Sequence, residues 1–178
     1  MRDMPLPVKI RPAIIEDAPA IAEVHVRSWQ WAYRGQLPDG YLDRLSDTLE
    51  QRVQARRAQL MNLPPDDRWW VAEHAGQIVG FAVTQPSRDA DVPPMTAEVA
   101  LIYLLQEAAG KGVGRALFAR AVEDLRERGY SQATLWVLES NSRARRFYEA
   151  AGWVSDGASK TEERPGVSLR EIRYQRTL

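Results

Sequence analysis

The chain has no cysteine among its 178 residues. That absence removes disulfides, a covalent thiol intermediate and cysteine-ligated zinc, and it fits a reducing compartment. Histidine is nearly as scarce. His25 and His74 are the only two, no HExxH-like pair occurs, and no metal site is expected. Neither charge is in excess, since Lys+Arg and Asp+Glu both number 24. Neither a nucleic-acid partner nor a solvating acidic tail is therefore expected. No apolar run approaches the ~20 residues that cross a bilayer, so no membrane association is expected. Met1 to Pro7 is short, proline-broken and without an apolar core, unlike a signal peptide. The default expectation is a cytoplasmic protein, folded as a single domain over residues 1–178.

What is present is an ordinary globular composition, 44% hydrophobic and 27% charged, with one stretch that stands out. Val99 to Leu105 is a continuous apolar run that reads as a buried strand. Gly110, Gly112 and Gly114 follow. A helical stripe then begins with Val113 and continues through Leu117, Val122 and Leu125 to a stop at Gly129. Strand, glycine turn and helix start are a recipe for holding an anion, because the first helical amides lack partners and the macrodipole is positive there. A plain glycine-rich turn is the competing reading. The spacing is G-x-G-x-G, which is neither the dinucleotide fingerprint nor the Walker loop, where Gly-Lys must precede Ser or Thr.

Before this stretch, Val8 to Ile14 reads as a strand. Glu16, Asp17 and Pro19 open a helix that carries Ile21, Val24 and Ser28 towards Trp31. Tyr33 to Gly40 reads as a loop. Asp47 with Glu50 suggests a capping box for a helix bearing Leu49, Val53 and Leu60, ended by Pro64 and Pro65. Trp69 to Ala75 and Ile78 to Thr84, joined at Gly76, read as a hairpin, and Pro86 to Pro94 as a polar loop. After Gly129 come a strand from Ala133 to Leu138, a helix from Asn141 to Ala151 and a short strand from Trp153. Lys160 to Gly166 reads as a turn or mobile loop, and Ser168 to Gln175 as the last strand. The order βααβββαβαββ predicts a mixed sheet with helices on both faces.

Two motifs in order resemble those of the GNAT acetyltransferase family. Gly112 and Gly114 match the small positions of its coenzyme A loop, [Q/R]-x-x-G-x-[G/A]. Ala109 stands where that family usually has Gln or Arg. Further on, Asn141, Ala144, Phe147, Tyr148, Gly152 and Trp153 match N-x-x-A-x-x-F-Y-x-x-x-G-[F/W/Y]. The resemblance covers the second half of the chain strongly and the first half loosely. It implies the acyl-CoA N-acyltransferase fold: a twisted, mostly antiparallel sheet of six to seven strands, the fourth and fifth splayed apart, with helices on both faces.

The resemblance also implies an acetyl-CoA-dependent N-acetyltransferase acting by direct amine attack on the thioester. Backbone amides of Gly110, Lys111, Gly112, Val113, Gly114 and Arg115 would hold the pyrophosphate, with Lys111 and Arg115 screening charge unless they are ordinary surface cations. Leu104 and Leu105 would offer backbone groups to the thioester oxygen and pantetheine. Asn141 reads as a helix N-cap, and the resemblance adds a contact to the coenzyme. Tyr148 lies on the stripe Ala144, Phe147, Tyr148, Ala151. It is either a core tyrosine or, by resemblance, the acid that protonates the departing thiolate. Glu98 is either a solvated acid at a strand end or the general base for the amine. Trp29, Trp31 and Tyr33 either shape an acceptor pocket or cover a sheet edge. The acceptor would be a small-molecule or peptide amine, no metal is implied, and homodimers are common in that family. The rival readings are a non-catalytic coenzyme A sensor and an interaction protein that lost the cofactor, for which Ala109 is the best support.

Overall fold

The computed structural model describes residues 7–178, so most of the Met1 to Pro7 segment lies outside the described residues. The elements run β1 (Lys9–Pro12), α1 (Ala18–Ala32), α2 (Asp39–Asp43), α3 (Leu49–Met61), β2 (Arg68–His74), β3 (Gln77–Pro86), β4 (Thr96–Leu104), α4 (Val113–Glu127), β5 (Gln132–Leu138), α5 (Ser142–Ala150), β6 (Val154–Arg164) and β7 (Val167–Thr177). The seven strands form one sheet in the order β1-β2-β3-β4-β5-β7-β6. Every neighbouring pair is antiparallel except β4 with β5.

Successive side chains of a strand point to opposite faces, and β4 shows which helices lie where. Tyr103 stacks on His25 of α1 at 4.7 Å between ring centroids. Its neighbour Leu104 faces α4, close enough that a Cβ at Gly114 would come within 2.8 Å of Leu104 Cδ1. On the α4 side, Phe118, Val122 and Leu125 bury against Leu135, Val137, Tyr148 and Trp153. On the α1 side, Trp29 and Tyr33 bury with Leu42, Leu138 and Leu169. A fully buried side chain of this size contributes about 1.5–3 kcal/mol, so these two layers hold both ends of the central strands in place.

Three sequence expectations give way. No capping box opens α3: its N-cap is Thr48, which makes no side-chain cap bond. The Thr48 hydroxyl is occupied instead, donating to Leu45 O at 3.1 Å and accepting from Arg52 Nε at 3.0 Å. Part of the expected loop from Tyr33 to Gly40 belongs to α2, whose ends Asp39 and Asp43 are tied by Arg34 at 3.0 and 2.9 Å. The expected loop from Lys160 to Gly166 is mostly strand. Lys160 to Arg164 pair residue by residue with Glu171 to Val167, and only the Gly166 turn remains. An edge strand exposed along most of its length carries no apolar alternation, so its charged residues read as loop.

The feature that positions the site is the β4–β5 junction. The two strands pair only over Thr96–Glu98 and Gln132–Thr134. Beyond that they part, although β4 continues to Leu104 and β5 to Leu138. A bulge lies at this point. Thr84 pairs with Val99 and Val83 with Leu101, which leaves Ala100 as an extra residue in β4. A bulge bends its strand and increases the local twist, turning β4 away from β5.

Candidate active site in the parted strands

A cavity of about 430 Å³ fills the opening. Its walls include Glu98, Ile102, Tyr103 and Leu104 from β4, Trp136 and Leu138 from β5, Gly110 and Gly112 from the loop, and Tyr148 from α5. Backbone pairing decides what β4 presents to it. Leu105 N–H donates to Val79 O at 2.9 Å. In an antiparallel pair, hydrogen-bonded and non-bonded positions alternate. With Leu105 and Tyr103 turned to β3, the N–H and C=O of Leu104 and Ile102 turn to the opening. Of the two backbones named from the sequence, Leu105 is therefore already engaged in the sheet. Leu104 remains available, and Ile102 joins it.

At one end of the opening lies the glycine loop. Gly110 and Gly112 have φ of 76° and 83°, a left-handed conformation that side-chain-bearing residues rarely adopt. Gly112 is the N-cap of α4, and the first bond of that helix runs from Ala116 N–H to Gly112 O at 3.0 Å. The amides of Val113, Gly114 and Arg115 precede the ladder and have no helical acceptor. The Val113 side chain is fully buried, so only its amide can face a ligand. Lys111 and Arg115 are exposed. Gly114 has another cause: it makes room for Leu104, and Gly80 of β3 does the same from the other side.

Tyr148 is 7% exposed, with rings of Phe118 and Phe147 at 5.5 and 5.4 Å. Burial, and then the nearby phenols of Tyr33 and Tyr103, push its pKa well above that of an ordinary tyrosine. The group therefore keeps its proton at any physiological pH. Asn141 caps α5, its Oδ1 accepting from Ala144 N–H at 3.0 Å, while its Nδ2 donates to the Tyr33 hydroxyl at 3.4 Å. Glu98 lies at the point where the strands part, opposite Thr134. Burial raises its pKa, against an opposing hydrogen bond from Gln85 Nε2 at 3.2 Å. Gln85 is in turn held by Arg88 Nη2 at 3.0 Å.

A second cavity of about 810 Å³ opens between the end of α3 and the face of β3 and β4. Glu98, Ala100, Leu101, Trp136, Lys160 and Glu162 line both cavities. Glu98 thus sits where two approaches meet.

The sequence profile of the Acetyltransferase (GNAT) family matches residues 24–153. The chain belongs to the GNAT acetyltransferase family. An N-acetyltransferase of unknown role from Bacillus subtilis, YuaI, is 33% identical over 166 residues, covering 93% of this chain and 90% of its own length. The structure of PaiA N-acetyltransferase from Thermoplasma acidophilum in complex with coenzyme A superposes with a TM-score of 0.69 at 22% identity, covering 97% of this chain and 100% of that one. YncA from Salmonella typhimurium, solved with acetyl-CoA, gives 0.70 at 22% identity over 96% and 94% of the two chains. The mixed seven-stranded sheet expected for a GNAT chain is the sheet observed.

In this GNAT chain the three early aromatics fall on the same cavity as Tyr148, in different ways. Trp29 and Tyr33 are each 7% exposed and meet edge to face at 4.9 Å. Trp31 is half-buried beneath the Arg143 guanidinium, 4.5 Å from its ring centroid. Through Asn141 and Arg143, both Tyr33 and Trp31 reach α5. Ala109 lines the cavity with no more than a methyl group. Among the described residues no cluster of His, Asp and Glu has metal-site geometry, and no helix is long and apolar enough to cross a membrane.

Sequence reasoning passed over Tyr103 and the pair His25–Arg56. Tyr103 is the one hydroxyl in the run from Val99 to Leu105, a signal available in the sequence. His25 accepts from Arg56 Nη2 at 2.9 Å, and burial, then Arg56, Arg52 and Arg164, depress its pKa to about 3. Nothing in the spacing of residues 25 and 56 announces that contact.

Proposed function

We propose that this protein transfers the acetyl group of acetyl-CoA to a primary amine. The observation that carries the reading is the parting of β4 from β5, which leaves one edge of β4 unpaired beside a helix N-terminus. An extended pantetheine arm would add to that edge through Ile102 and Leu104, as a peptide adds to a sheet. The amides of Val113, Gly114 and Arg115 would hold the pyrophosphate, with Lys111 and Arg115 nearby. The coenzyme A and acetyl-CoA bound by the two structural neighbours support the choice of ligand.

In the proposed reaction the acceptor arrives by the second cavity and its amine attacks the thioester carbon. Glu98, directly or through one water, takes the proton the nitrogen must lose. The backbone of β4 stabilises the negative charge on oxygen. As the C–S bond breaks, Tyr148 gives its phenolic proton to the thiolate and regains one from solvent. The raised basicity of Glu98 suits a proton acceptor. No cysteine is present to carry an acyl-enzyme, and in direct transfer both substrates are bound together.

Ala109 motivates the second reading, a module that has lost the coenzyme or its chemistry. One assay decides between them: release of free thiol from acetyl-CoA across a panel of amines, alongside thermal shifts with coenzyme A. Turnover with at least one amine, intersecting initial-rate lines and a stabilisation of about 2.7 kcal/mol at 100 times Kd are expected. Stabilisation without turnover would favour the sensor, and neither would mean the coenzyme is not bound.

A further inference from the structure

We propose that the acceptor amine carries a carboxylate and that Arg56 binds it in the second cavity. This inference rests on the acetyl-transfer reading above. Arg56, on α3, lines the same cavity as Glu98. Its guanidinium donates to Gln59 Oε1 at 2.6 Å and to His25 Nδ1 at 2.9 Å, and it lies over the Trp69 ring at 5.4 Å. Its Nε–H is buried without an acceptor. Both acceptors are uncharged, since His25 accepts at Nδ1 only as the neutral ring.

No carboxylate stands within ion-pair distance of Arg56 among the described residues. The acids on the cavity walls are mostly engaged elsewhere. Glu162 pairs with Arg164 at 2.9 Å, Asp89 with Arg173 at 3.1 Å, and Glu98 accepts from Gln85. Asp67, on the same wall, has Arg88, Arg128 and Arg68 for cationic neighbours. The charged side chain that acts on Arg56 is another cation, Arg52.

A partly buried guanidinium with neutral partners and a cationic neighbour is costly to fold unless something else supplies the counter-charge. The planar fork of arginine is matched to a carboxylate, which it binds with two parallel hydrogen bonds. Glu98 and Arg56 line one cavity, and the other two cations on its wall are held elsewhere, Arg88 by Gln85 at 3.0 Å and Lys160 by Glu171 at 3.5 Å. The cavity suits a zwitterion whose amine meets Glu98 and whose carboxylate meets Arg56. An amino acid is such a molecule, and a plain alkylamine is not.

The test compares three matched acceptors in the thiol-release assay: a panel of amino acids, their carboxamides and the corresponding decarboxylated amines. The wild type should favour the acid over its carboxamide by about tenfold or more in kcat/KM, chiefly through KM, as expected for a hydrogen bond to a charged group. Arg56→Met should bring that ratio close to one, and Arg56→Lys should keep part of it because the charge remains. Thermal melts of both variants identify a folding defect, and the wild-type ratio stands as a test without them. Turnover of plain amines with no preference for the acid, or a ratio unaltered in Arg56→Met, would overturn the assignment and leave acetyl transfer intact. No turnover with any acceptor would sink the transfer reading and this inference with it.

Discussion

Glu98 is subject to opposed influences, and their balance decides how the proposed base behaves. Burial and then Asp89 raise its pKa, while the Gln85 hydrogen bond and then Lys160 and Arg88 lower it. A general base works deprotonated, so kcat/KM should rise with pH through a Glu98 ionisation displaced above the usual glutamate range near ~4.3. Glu98→Gln should remove that acid limb. Gln85→Ala takes away the bond that holds the pKa down, so the limb should move to still higher pH. A pH–rate profile of each variant checks both, and a Gln85→Ala limb displaced to lower pH would contradict the arrangement. At this scale the sequence was only partly legible. Tyr148 and Asn141 could be named because a motif marks them, and Glu98 from its place at a strand end. Arg56 could not, because an arginine on a polar helix looks like any solvated cation. Its surroundings set it apart after folding: neutral His25, the Trp69 ring and, among the described residues, no acid within ion-pair distance.

Among the elements, β4 and the start of α4 depend on each other through Leu104. That side chain lies between Gly80 and Gly114, where added Cβ atoms would strike it. In the sequence Gly110, Gly112 and Gly114 read together as one anion-holding turn. The structure separates them: Gly110 and Gly112 supply left-handed turns, and Gly114 supplies packing space. Gly114→Val, whose branched side chain a small shift of Leu104 does not clear, should therefore lower stability by about 1–3 kcal/mol, the usual cost of overpacking. Leu104→Ala, itself destabilising, should recover much of that loss when combined with it. Denaturant melts of the two single variants and the double variant measure the coupling, and strictly additive losses would contradict the close packing. The central hairpin, both long helices and the β4 strand could be read from periodicity and punctuation. The bulge at Ala100 could not, since it is a mismatch between two strands and leaves no trace in one of them. The second half of strand β6 was missed for a different reason: its partner β7 supplies the order that its own charged sequence does not suggest.

For the whole molecule, the arrangement amounts to one sheet opened at one junction. Helices on its two faces pack against alternate residues of β4, and the two cavities share Glu98 on their walls. In the proposed ternary complex the coenzyme and the acceptor enter from different directions, and Tyr148 stands where the thiolate would leave. The motifs of the second half carried this much of the account in the sequence. The wall of the second cavity, to which α3, the β2–β3 hairpin and β6 contribute, took shape only with the fold. The central claim is that transfer occurs in this opening with Tyr148 as the acid. It is tested most directly by the single-turnover rate of acetyl transfer in Tyr148→Phe, which removes one oxygen and little packing, with coenzyme affinity measured in parallel. The account predicts near wild-type affinity and a rate lower by ~10²–10⁴, or about 3–5 kcal/mol in the barrier. A rate within about threefold of wild type, far short of the loss expected for a positioned acid, would contradict it and leave Tyr148 a packing residue.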